Sequence, residues 1–284
     1  MMFKNLLVYL QGSSRSEATM RAASLVAKRF GARLSGIHVI GLVVPSQVGI
    51  NLTDTSDALT RGAALGRLRE AEVAATRHAE EIFHRHLSKA KLRGDWQLAE
   101  GMVAHTAGRW ARRFDMTIVG QVDPRLPLLG TRRFVPEALF LESGRPVLVV
   151  PCTGAVDTVG TKVLVAWDGS REAARAVNDA MPFLERAADV TVVTFENSAT
   201  ADEMVADPMG VVSHLSEHGV RATGSSMGLD DRNVAEALLA AAADERCDLL
   251  VMGGYGHSRL HEIITGGTTR TMLRTMNLPV LLSH

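Results

Sequence analysis

The chain has 284 residues, enough for two ordinary domains or one large one. Hydrophobic residues make up 46% and charged residues 22%, the composition of a globular protein with a core. Lys+Arg and Asp+Glu both total 31, so no net field recruits nucleic acid or an anionic membrane surface.

The opening stretch "MMFKNLLVYLQGSS" holds an apolar run too short for a signal peptide or a membrane span. "NLLVYLQGSSRSEATMRAA" (5–23) reads as a buried strand, a Gly-Ser turn and a helix. Ser14 with Glu17 has the form of a capping box, which explains the serines better than a nucleophile does. His84 and His86 in "EEIFHRHLSKAK" are two apart and read as surface residues of a charged helix. "FDMTIVGQVD" (114–123) and "GRPVLVV" (144–150) are two further strands, and "PCTGAVDTVGT" marks a boundary. The chain then repeats itself. "KVLVAWDGSREAARAVNDA" (162–180) follows the opening strand and helix at an offset of 157, from Gln11 to Asp168. "CDLLVMGGYG" (247–256) and "NLPVLLS" (277–283) follow the later strands at an offset of 133, from Asp115 to Asp248. The first copy is therefore longer, and the surplus is expected around "VVPSQVGINLTDTSDALTRGAALG" (43–66).

Within each copy, apolar strands such as "VLVAW", "VTVVTF" and "PVLLS" alternate with helical patterns. Ala173, Ala176, Val177, Ala180 and Leu184 form one helical stripe, and Val234, Leu238 and Ala241 another. Ser170 is placed to cap the first of these helices. This alternation predicts an α/β fold of two tandem doubly wound domains, at 1–152 and 160–284. Each would be an open, mainly parallel five-stranded, Rossmann-like sheet flanked by helices. The two cysteines, Cys152 and Cys247, lie in different halves without metal-type spacing, which suits a reducing cytoplasm, and Cys247 reads as a small core residue.

"GGYGHSRLHEIITGGTT" (253–269) concentrates five glycines after a buried strand. In such sheets ligands bind beyond the carboxyl ends of the strands. "GGTTRTML" opens a helix whose inward face is Met272, Leu273 and Met276, and a helix start favours an anion. Gly266 and Gly267 let the main chain approach closely, and Thr268 and Thr269 add hydroxyl donors. Common turn chemistry accounts for the glycines equally well, and the stretch is neither a P-loop nor a G-x-G-x-x-G fingerprint. His257 and His261 share a helical face without an identifiable third metal ligand and read as solvated.

The run G-x2-G-x9-G at Gly253, Gly256 and Gly266 resembles the ATP-binding signature of the universal stress protein family. "VLVAWDGSREAARAV" and "NLPVLLSH" are similar to that family's first strand and helix and its last strand, so the chain resembles a tandem universal stress protein. The resemblance implies that Asp168 contacts the adenosine part and that main-chain groups near Phe195 face adenine. Met252, Gly253, Gly254, Tyr255 and Gly256 would line ribose and phosphates, and Gly266, Gly267, Thr268 and Thr269 would hold the phosphate tail. Gly267 departs from the Ser or Thr usual after the third glycine, so AMP or ADP serve as well as ATP.

The first copy lacks this pattern. Gln11 replaces Asp168, Gly120 matches Gly253, Asp123 falls on Gly256, and Arg133 and Phe134 replace the Gly266–Gly267 pair. Arg132 and Arg133 read as a solvated pair. The expected function is a stress-response or regulatory protein binding an adenine nucleotide in its second domain. No Walker lysine, carboxylate pair or water-positioning base accompanies the glycines, so no catalytic residue is named. Arg270 or His257 could add charge, and Mg2+ or Mn2+ could bridge phosphates, with no protein metal site expected. A slow ATPase and an apo protein-interaction module are the alternatives. By the same resemblance the last strands, "RPVLVVP" and "LPVLLSH", would pair as an internal pseudo-dimer, leaving room for a homodimer of chains.

Overall fold

The computed structural model describes residues 2–13, 15–41, 58–122, 135–195, 207–229, 231–254 and 267–284. The first half runs β1 (Asn5–Tyr9), α1 (Ser16–Phe30), β2 (Arg33–Gly41), α2 (Ala58–Ala90), β3 (Trp96–Gly101), α3 (Val103–Ala111), β4 (Met116–Gly120), α4 (Val135–Ser143) and β5 (Val147–Val150). The second runs β6 (Lys162–Ala166), α5 (Arg171–Leu184), β7 (Asp189–Phe195), α6 (Pro208–Glu217), β8 (Ala222–Met227), α7 (Val234–Asp244), β9 (Leu249–Gly253), α8 (Thr268–Thr275) and β10 (Val280–Ser283).

Strand follows helix follows strand, and the inner strands are short Val/Leu/Ile runs buried along nearly their whole length, the mark of a sheet covered on both faces, while the outermost, β3 and β8, are only partly buried. They form one ten-stranded sheet in the order β3-β2-β1-β4-β5-β10-β9-β6-β7-β8. Each half thus has the doubly wound order expected of it. The expected pairing of the two last strands occurs: β5 meets β10 antiparallel, with Leu281 opposite Leu148, and the other pairings given are parallel. The two five-stranded sheets therefore merge into one, with strand direction reversing at the central seam.

The repeat is visible in the hydrogen bonds. Asp115 accepts from the amides of Lys4 (2.7 Å) and Asn5 (2.9 Å), and Asp248 accepts from those of Thr161 (2.7 Å) and Lys162 (2.9 Å). Leu6 pairs with Met116 as Val163 pairs with Leu249. Carboxylates at both strand starts thus bind the β1–β4 and β6–β9 neighbours together in the same way.

One apolar cluster lies beneath α1, α2, α5 and α6, and a second beneath α3, α4, α7 and α8, so each helical layer spans both halves. The predicted stripe of α5 is buried throughout, as are Met272, Leu273 and Met276 at α8. Phe3, Phe30 and Phe183 meet edge to face with centroids 5.0–5.5 Å apart, which closes the first layer between α1 and α5.

The halves differ between their second and third strands. Gly36 pairs with Trp96, and Val192, its repeat counterpart, pairs with Gly224, so the interval from 36 to 96 shrinks to that from 192 to 224. The surplus falls in the region expected, and its described part is helical: α2 has 33 residues against 10 for α6. Glu17 does not close a capping box. Helix α1 has Arg15 at its N-cap without a side-chain cap, and the Glu17 carboxylate instead reaches Arg85 and His86 of α2 (2.7 Å to His86 Nε2). His86 is accordingly a half-buried partner of α1 rather than a surface residue, while His84 is exposed. Ser14 lies outside the described residues.

Candidate functional site

In an open parallel sheet the crevice opens where the chain leaves a central strand toward opposite sides. In the second half that strand is β6, flanked by β9 and β7 through the registers Val165↔Val251 and Val165↔Val192. Asp168 follows it and is exposed; its Oδ1 accepts the Ser170 amide (3.0 Å), an Asx turn that aims the loop into α5. Gly169 takes φ +74°, a left-handed turn open to glycine at little cost. Ser170 caps α5 as expected, accepting the Ala173 amide at 3.1 Å. Phe195 ends β7 and is buried, paired with Met227.

On the other side, Met252 is core, paired with Leu282. Gly253 and Gly254 have packing reasons of their own. A Cβ on Gly253 would stand 2.6 Å from the backbone of Glu172, so glycine here lets α5 cross close over β9. A Cβ on Gly254 would stand 2.8 Å from the ring of Phe140, which comes from α4 of the first half. Gly254 donates its amide to Ser283 O (2.9 Å), and its carbonyl lies 3.0 Å from His284 Nδ1. Gly267 is the N-cap of α8, with φ −33° and ψ 155° and no side-chain cap; the first helical bond runs from the Thr271 amide to Gly267 O (3.1 Å). Thr268 is half-buried and Thr269 buried. Tyr255, Gly256, His257, His261 and Gly266 lie outside the described residues, as do Asp123, Arg132, Arg133 and Phe134 of the first half.

Trp167, which sequence reading passed over, belongs to the same rim. Its amide donates to Val193 O (2.9 Å) and its carbonyl accepts from Thr194 Oγ1 (3.0 Å), while its buried indole N–H has no hydrogen-bond partner. Its place directly before Asp168 was the available signal. Glu172 is a second omission: it is buried in the first turn of α5, its carboxylate 2.5 Å from Arg171 Nε. The Cys247 thiol is pushed up to about 11 by burial and by the neighbouring carboxylates of Glu245 and Asp248, which suits the inert role expected of it.

The first half meets the same point with its own backbone. Gly12, the counterpart of Gly169, has φ +70°, and a Cβ there would stand 2.0 Å from Ala75 O of α2. His38 takes the place of Thr194, fully buried, its Nδ1 donating to Leu10 O (2.7 Å). Its Nε2 faces Glu72 Oε1 of α2 at 3.4 Å, without the alignment of a hydrogen bond. Helix α2 therefore roofs the strand ends at which Gln11 stands.

Among the described residues no helix is long and apolar enough to cross a membrane, and no group of three or more His, Cys, Asp or Glu is placed to hold a metal. The fold and this rim define a doubly wound α/β protein in tandem, with one strand-end crevice roofed and its repeat counterpart carrying an exposed aspartate. Residues 161–284 match the universal stress protein family. A universal stress protein of Synechocystis sp. is 28% identical over 148 residues, 51% of this chain and 49% of that protein, so the match spans about half the relative's length. Among solved structures, a universal stress protein from Archaeoglobus fulgidus superposes with a TM-score of 0.72 at 16% identity, covering 99% of this chain and 97% of that one. A functionally unknown protein from Pseudomonas aeruginosa superposes at 0.59, also at 16% identity, covering 99% and 92%. At such identities these likenesses establish the fold, in both halves.

Proposed function

We propose that this chain is a tandem universal stress protein, a stress-response or regulatory protein that binds an adenine nucleotide, ATP or ADP or AMP, in a domain at 160–284, with little or no hydrolysis. A domain at 1–152 serves as its structural partner, and the protein works in the cytoplasm. The observation that carries the reading is the exposed Asp168 carboxylate at the β6 exit, beside the β9 exit that leads into the family's glycine pattern. A carboxylate there accepts ribose hydroxyls. The start of α8, capped by glycine, supplies amides and a dipole end for phosphates. The orphaned Trp167 N–H is a further donor at the rim. Phe195, Met252, Gly253, Gly254, Tyr255, Gly256, Gly266, Gly267, Thr268 and Thr269 complete the assigned set, and any Mg2+ or Mn2+ would be held through the phosphates.

The packing of Gly253 and Gly254 favours one rival, a nucleotide-free interaction module whose glycines only shape the chain. Calorimetry with ATP, ADP and AMP separates the two. Binding at a hundred times the dissociation constant stabilises by about 2.7 kcal/mol, which a thermal melt reads directly. A flat titration with all three adenylates would falsify the nucleotide reading, and phosphate release with Mg2+ or Mn2+ would convert it into an ATPase.

A further inference from the structure

The glycine segment assigned to the nucleotide runs from Gly254 to Gly267, and the structure fixes what holds it on either side. Before it, Gly254 is gripped from two directions. Ser283 and His284 at the end of β10 take its amide and carbonyl, and the Phe140 ring of the first half covers the face where a side chain would stand. After it comes α8, eight residues long, whose last carbonyls have no helical partners. One of these, Leu273 O, accepts from Gln121 Nε2 at 3.0 Å, again from the first half. Gln121 is buried, and its other amide atom is committed: Oε1 accepts the Cys152 amide at 2.8 Å, while its own amide donates to Val150 O at 2.7 Å. A carbonyl on one side and an N–H on the other leave the side-chain amide a single orientation.

These contacts are not symmetric, although the repeat would allow them to be. Gln121 is the counterpart of Gly254 and Phe140 the counterpart of Leu273, each at the 133-residue offset. The first half supplies the ring and the amide; the second supplies the bare backbone and the carbonyl that receive them. Because α8 is a rigid rod about 12 Å long, fixing its last turn also fixes where its first turn points.

Resting on the nucleotide reading above, we infer that Gln121 and Phe140 of the first half are positioning residues for the phosphate end of the nucleotide site in the second. Neither touches the ligand. They fix Gly254 and the last turn of α8, and through that rod the α8 start that would meet the phosphates, so one half supplies the geometry that the other uses.

The test is calorimetry on the full-length protein, with ATP and with adenosine as separate probes, comparing wild type with Gln121→Leu and Phe140→Leu. A misplaced phosphate segment weakens ATP by about tenfold while adenosine changes by less than about twofold. A general loosening of the fold weakens both equally. Wild-type binding with the selective loss supports the inference. Wild-type binding with variants that bind ATP normally, or that lose both ligands in parallel, overturns it and leaves the nucleotide reading standing. A wild type that binds neither probe removes the reading and the inference together. Should Gln121→Leu melt below the assay temperature, Gln121→Glu preserves size and the bond from Cys152 but loses the donor to Leu273, and the same split decides.

Discussion

The two halves have the same strands in the same order, and they part company above them. In the first, the 33-residue α2 lies over the β1 exit, its Ala75 backbone against Gly12 and its Glu72 facing the buried His38. In the second, the corresponding helix has ten residues and the Asp168 carboxylate is exposed. The repeat keeps the sheet, whose inner strands are packed on both faces and tolerate little change. The difference in length is concentrated in one connection, where length is tolerated far better. The first crevice is closed by a longer roof together with changes at its rim, Gln11 for Asp168 and His38 for Thr194.

The largest effect expected from this contrast is at Gly12. Gly12→Ala drives a methyl into the α2 backbone and should cost about 3 kcal/mol in urea denaturation. Gly31→Ala, at a similar positive φ with nothing within 4 Å, should cost only the conformational share, about 1 kcal/mol. Equal losses at the two sites would mean that α2 does not press on the β1 exit.

The next is chemical. Asp168→Ala should weaken ATP binding about tenfold, the worth of one lost charge-assisted hydrogen bond, while Gln11→Ala at the roofed counterpart leaves it unchanged. A loss confined to Gln11→Ala would locate the ligand in the first half and reverse the assignment.

A smaller effect separates the paired helices α4 and α8. Burial holds the Glu137 carboxyl above its ordinary range, with the Arg270 charge acting in the opposite direction. The folded chain therefore binds this proton more tightly than the unfolded chain. Its charge costs stability once pH rises above the folded value, and the cost is absent below the unfolded one, near 4.3. Glu137→Gln should raise the melting temperature at pH 7, with the gain shrinking as pH falls and gone below about pH 4. A gain independent of pH would assign the effect to packing instead.

The smallest concerns reactivity. With its thiol near 11, Cys247 is about one part in a thousand thiolate at pH 8, so iodoacetamide should leave it unlabelled in the folded protein while labelling it in urea. Rapid labelling of the folded chain at that pH would show that the β9 start is open to solvent.

The apolar strands and the repeat were legible in the sequence, because continuous apolar runs have one stable use and the two offsets locate them. The central pairing followed from the family resemblance, and the outermost strands β3 and β8, which lack such runs, were not singled out. The capping of α5 by Ser170 was legible for the same local reason. The roof was not. Its surplus could be located, but whether Glu17 folds back on its own helix or reaches Arg85 and His86 depends on a neighbour 68 residues away. At the candidate site, Asp168 stands exposed at the strand end where pattern placed it. The reasons for Gly253 and Gly254 were hidden, since Glu172 and Phe140 meet them only after folding. Gln121 looked like an unremarkable polar residue at a strand end until its carbonyl partner arrived from 152 positions further on.

The antiparallel junction of β5 with β10 has one more effect. Since the strands of one lobe point north where those of the other point south, the roofed and open rims occupy opposite poles of the particle. A molecule that approached one pole would leave the other in contact with solvent.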